Sequence, residues 1–128
     1  MVGKNVYLGA SVTAFVGIVA GIVSGSSALA PWGIPGGIVA GWTAETMSDG
    51  LYDGGLAGLL GGIAAVISLS LLGVLNIALA TGNVNAASAV GAYISVVVGI
   101  LIIPLFAVEG LCIGPITTYI RTRAISNR

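Results

Sequence analysis

The 128 residues are 57% hydrophobic and only 6% charged, with four basic and four acidic side chains and no histidine. Soluble domains carry about 25% charged residues, so this chain lacks the polar coat that a water-facing surface needs, and its mean hydropathy of +1.13 makes the bilayer the expected solvent. The same numbers exclude whole classes of function. There is no basic patch interleaved with aromatics to serve nucleic acid, no histidine for a triad or a proton relay, and one cysteine, Cys112, which rules out an intramolecular disulfide and a thiolate zinc site.

One membrane domain fits the length. The first apolar stretch, 6–24, carries no charge and is long enough to cross about 30 Å of hydrocarbon. Lys4, this run and Ala28-Leu29-Ala30 imitate a secretory signal with its cleavage site. Pro31 would follow the scissile bond, so a retained helix is expected. The second stretch, 28–47, starts among Pro31, Pro35 and a Gly pair, which predicts a helix that is short, broken or re-entrant. A third, 56–80, is long enough to span with tilt. The fourth apolar run begins near residue 86 and continues to 120, interrupted only by Glu109. At about 1.5 Å per residue such a helix would reach roughly 50 Å. Pro104, Gly110 and Gly114-Pro115 supply break points. The expected layout is a spanning helix over 86–107 followed by an interfacial helix over 113–124; the alternative is one long helix protruding from lipid into a partner.

The fold class expected is therefore an all-α integral membrane bundle of about four transmembrane helices plus a short C-terminal interfacial one. Lys4 precedes the first span and Arg121, Arg123 and Arg128 follow the last. The positive-inside rule then places both termini on the cytoplasmic or interior face. Tyr7, Trp32, Tyr52 and Tyr119 fall where interfacial aromatics belong, whereas Trp42 and Tyr93 are expected between helices.

The pentapeptide Gly-Ile-Val-Ala-Gly occurs at 17–21 and again at 37–41. It belongs to rows of small residues four apart: Gly9, Thr13, Gly17, Gly21 and Gly25; Gly33, Gly37 and Gly41; Gly54, Gly58 and Gly62; Ala87, Gly91, Ser95 and Gly99. Lipid tails are as apolar as leucine, so helices in a bilayer associate by close backbone approach, which such rows permit. Each glycine costs about 1 kcal/mol of helix propensity relative to alanine, and the 21 glycines present require a compensating contact. The rows leave open whether that contact is within a chain or between chains.

The stretch PGGIVAGWTAETMSDGLYDGGLAGLLGGIAAV, about residues 35–66, resembles a family of small, glycine-rich, multi-span archaeal membrane proteins of unknown function. The shared pattern is a GG-xx-AG-aromatic helix, a glycine-containing turn and a G-xx-AG-LLGG helix start; the resemblance implies an architecture and no activity. The C-terminal half is similar in pattern to the hydrophobic capsid proteins of spindle-shaped archaeal viruses, with two long apolar helices around a Thr/Asn/Gly turn and a basic tail. The extra N-terminal half departs from that pattern.

Catalytic, cofactor and metal sites find no support in the residues. Glu45, Asp49 and Asp53, four apart, read as a solvated loop. Ser68, Ser70 and Asn76 are expected to hydrogen-bond between helices. Glu109 is the possible functional carboxylate, since an ionisable group at membrane depth is a functional hypothesis by default. Its plainer reading is an interfacial acid at a helix end, paired with Arg121 or Arg123. The function expected is that of a structural membrane protein assembling into a homo-oligomeric shell, envelope or scaffold, or serving as an accessory subunit, with membrane lipids and further copies as partners. The alternative is a small pore or transporter with a broken-helix site over 33–41.

Overall fold

The computed structural model describes residues 3–24 and 32–126. Four helices follow one another: α1 (Lys4–Ser24), α2 (Gly33–Thr43), α3 (Met47–Thr81) and α4 (Val84–Ser126). Among the described residues there is no strand, and the fold is an all-α bundle. Three helices, α1, α3 and α4, are long and apolar enough to cross a membrane. With 11 residues, α2 is about 16 Å long, roughly half the hydrocarbon thickness.

Several boundaries differ from the expected ones. α3 starts at Met47 rather than 56 because Thr-Met-Ser-Asp forms a capping box: Thr46 Oγ1 accepts the Asp49 N–H at 3.1 Å, and Asp49 Oδ2 accepts the Thr46 N–H at 3.2 Å. Asp49 and Asp53 thus lie in the first turns of a helix, not in a loop. Only residues 44–46 separate α2 from α3. α3 ends at Gly82, whose φ of 67° is the left-handed conformation that terminates helices. Asn83 then starts α4, its Oδ1 accepting the Ala86 N–H at 3.1 Å.

α4 is one helix of 43 residues, so the break after 107 and the separate helix at 113–124 do not occur. Pro104 and Pro115 lie within it. Each proline removes one backbone hydrogen bond, and the segment that follows is held by neighbours on two sides. Gly110 and Gly114 press against α3 at Gly54 and Gly50, and against α2 at Gly37 and Gly41. The predicted breakers are the tightest contact points of the helix.

Pairing gives the direction of each helix. Gly9, Gly17 and Gly21 face Ala57, Ala65 and Leu69, so α1 and α3 run parallel. Gly54 meets Gly110 and Gly58 meets Phe106, so α3 and α4 are antiparallel. Gly9 lies against Gly36, and Asn5 Nδ2 donates to Thr43 O at 3.2 Å, which turns α2 back along α1. The start of α1, the end of α2, the start of α3 and the last turns of α4 therefore share one end of the bundle. At the other end α3 and α4 form a hairpin that runs about nine residues, roughly 13 Å, beyond the level where α1 ends.

The interior is small and the exterior large. Buried positions are mostly Gly, Ala and Thr, with one larger cluster of Val66, Ile102 and Phe106. Phe15 is 69% exposed and Leu79 77% exposed. This reversal of the soluble pattern suits a lipid environment, where bulky apolar side chains lose nothing by facing outward. Trp32, expected at the interface, instead packs on the Val66–Phe106 cluster, while Trp42 and Tyr93, expected between helices, are exposed.

Candidate functional site

The glycine rows meet neighbours within the chain. A Cβ at Gly17 would sit 3.2 Å from Ala65 Cβ, and one at Gly21 would sit 2.6 Å from Leu69 Cδ2. Side chains at Gly41, Gly54 and Gly58 would fall on the backbone of Gly114, Gly110 and Phe106, and one at Gly37 would lie 3.1 Å from Gly110 Cα. Gly62 lies in ordinary contact with Ile103 and Phe106, Gly91 faces Val74, and Gly99 has only loose neighbours at 3.6 Å. Gly25 lies outside the described residues. Gly50, Gly110 and Gly114 complete the tight contact, although Gly110 and Gly114 were expected as break points and Gly50 as part of a turn; the signal for the α4 pair was the row 106, 110, 114, 118, which the Gly-Pro pair disguised as an ending.

Where α2, α3 and α4 converge, Thr118 is fully buried, and its hydroxyl donates to Gly41 O at 2.7 Å or Gly114 O at 3.0 Å. Thr13 is the counterpart between α1, α2 and α3. It is fully buried against Gly36 and Gly61, with no hydrogen-bond partner for Oγ1.

The charged side chains of α4 do something the sequence did not disclose. Gly33, the first residue of α2, donates its N–H to Glu109 Oε2 at 2.8 Å. At the far end of α2, Arg121 NH1 donates to Trp42 O at 2.7 Å and Ala44 O at 2.8 Å. Glu109 and Arg121 are twelve residues apart on α4, about 18 Å, which matches the length of α2. A carboxylate therefore meets the positive N-terminal end of the short helix and a guanidinium its negative C-terminal end, each in the favourable sense and each worth up to about 2 kcal/mol where partly buried.

This corrects the expectation of a Glu109–Arg121 pair at a helix end. Glu109 is in the interior of α4, and the two side chains face opposite ends of α2. The N-terminus of α2 needs such a partner. Trp32 offers no side-chain cap, and an unsatisfied N–H in an apolar interior costs about 1–3 kcal/mol. Gly33 itself is packed so closely on Phe106 that a Cβ would lie 2.8 Å from its carbonyl oxygen.

The polar residues of the hairpin behave differently from one another. Ser95 Oγ donates to Ser70 Oγ at 2.8 Å across the helix pair, as expected of Ser70. Asn76 instead returns to Leu72 O of its own helix at 3.0 Å. Among the described residues no three His, Cys, Asp or Glu side chains are grouped to hold a metal ion. Above the N-terminus of α2 lies an apolar cavity of about 20 Å³, lined by Gly17, Trp32, Ala65, Val66 and Phe106 among others.

Compared with protein families, with curated proteins and with solved structures, the chain matches none.

Proposed function

We propose that the protein is a structural subunit of a membrane assembly, in which the α3–α4 hairpins of neighbouring copies pack together. One observation carries this reading. From Gly54 to Val108 the chain has no charged residue, and the hairpin continues past the end of α1 with Leu75, Leu79 and Val84 all exposed. The uncharged part of α3, from Gly54 to Thr81, is about 42 Å long against about 30 Å of hydrocarbon. Tilt absorbs some of that mismatch and neighbouring protein covers the rest. The glycine rows, engaged inside the chain, no longer serve as the intermolecular surface; the hairpin takes that role. A scaffold, an envelope layer or a capsid layer is the form such an assembly takes.

We place the end bearing Lys4, Arg121 and Arg123 on the cytoplasmic or interior face, following the positive-inside rule. The pore reading draws support only from the half-length α2. The cavity beside its N-terminus has room for about one water and an apolar lining.

Mass measurement of the particle released by mild detergent tests assembly, and disulfide trapping locates its surface. With Cys112 replaced by serine, Leu79→Cys is expected to give oxidised dimers in native membranes, while Tyr7→Cys at the other end is not. A monomeric particle with no Leu79→Cys cross-link overturns the proposal. Ion flux through liposomes that is lost in Glu109→Gln would favour the pore.

A further inference from the structure

The last turns of α4 extend past the end of α2 and leave a groove of about 440 Å³ between the two helices, lined by Trp42, Arg121, Ala124 and Ile125. Its walls are apolar: Trp42 and Ile125 are both more than half exposed. Among the described residues its one charged group is Arg121, and no carboxylate lines it. The guanidinium is held in place, since NH1 spends its two hydrogens on Trp42 O and Ala44 O. Of the five N–H donors of an arginine, the three on NH2 and Nε remain.

We propose that this groove binds the phosphodiester headgroup of an anionic phospholipid, with the first part of its acyl chains against Trp42 and Ile125. Three features support that occupant. A fixed guanidinium edge matches a phosphate bidentately. An indole beside it is the side chain enriched at headgroup level. The groove also opens at the end of the bundle where the charged residues Lys4, Glu45, Asp49, Asp53 and Arg123 gather; of the described charged residues only Glu109 lies away from it, which makes it the end suited to face water. Arg123 is not part of it. Two residues on, about 200° round the helix, it stacks over Tyr119 at 5.6 Å. The site stands whether or not the chain assembles.

Native mass spectrometry of the detergent-solubilised full chain, titrated with phosphatidylglycerol, phosphatidylcholine or inorganic phosphate, tests it. The wild-type protein is expected to retain phosphatidylglycerol about tenfold over phosphatidylcholine, because the choline cation of the latter neutralises its phosphodiester and is repelled by the guanidinium, and to be indifferent to millimolar phosphate. Arg121→Gln should bring that ratio to about one, and Arg123→Gln, equal in charge, should leave it unchanged. Because Arg121 also caps α2, Ala124→Phe provides the second measurement: it fills the groove while keeping the guanidinium, and should abolish the preference as well. Unchanged preference in Ala124→Phe, or equal loss in Arg121→Gln and Arg123→Gln, overturns the proposal. Displacement of the lipid by inorganic phosphate overturns the lipid as the ligand.

Discussion

The half of the bundle that holds α2 and the half that ends at the Gly82 turn are joined by the same two long helices yet held by different contacts. Around α2, backbones touch: Gly41, Gly50, Gly54, Gly110 and Gly114 leave no room for a Cβ, Thr118 is locked between two carbonyls, and Glu109 and Arg121 close the ends of the short helix. In the hairpin, Gly91 accommodates the Val74 side chain, Ser95 reaches Ser70, and a Cβ at Gly73 would meet no neighbouring group within 4 Å. The comparison teaches that glycine content alone does not locate tight packing. What matters is whether a third helix is present to fill both sides of the glycine ridge.

Substitutions can break that distinction or sharpen it. Gly114→Leu is expected to have the largest effect, a loss of about 3 kcal/mol or more, because its Cβ would fall on the Gly50 carbonyl, where only backbone can move; reversible unfolding in mixed micelles measures it. Glu109→Leu should follow at about 1–3 kcal/mol by stranding the Gly33 N–H, and Glu109→Gln, which keeps an acceptor oxygen, should lose distinctly less in the same assay. Gly73→Ala in the hairpin is expected to stabilise by up to about 1 kcal/mol, since it gains helix propensity and meets no neighbour. A loss there as large as that of Gly114→Leu would erase the contrast between the two halves. Ser95→Ala should be the mildest, about 0.6 kcal/mol for one interhelical hydrogen bond, read from the unfolding midpoint.

Much of the architecture was legible because it rests on local chemistry. The long uncharged runs of α1 and α3 suit a membrane, and the crowding of Pro35 and its glycines announced a shortened second helix. The start of α3 was legible in principle too. Thr46 and Asp49 have capping-box spacing, but their acidic, glycine-bearing surroundings read as a loop. Pro104 and Pro115 misled for a different reason: a proline states the local cost of continuing a helix, not the tertiary contacts that Gly110 and Gly114 gain when it continues. The roles of Glu109 and Arg121 lay further out of reach. Nothing in residues 109–121 reveals that another helix of matching length lies alongside, because that match exists only once the chain has turned back twice.

The clamp on α2 also orders events during synthesis. α2 leaves the ribosome some seventy residues before Glu109 and Arg121 do, and until they arrive the short helix has an open donor at one tip and open acceptors at the other. It therefore rests at first on its contacts with α1 and α3 alone. The final segment to be translated locks a piece threaded much earlier, so nascent chains released before Glu109 should hold the second helix less tightly even though every one of its own residues is present.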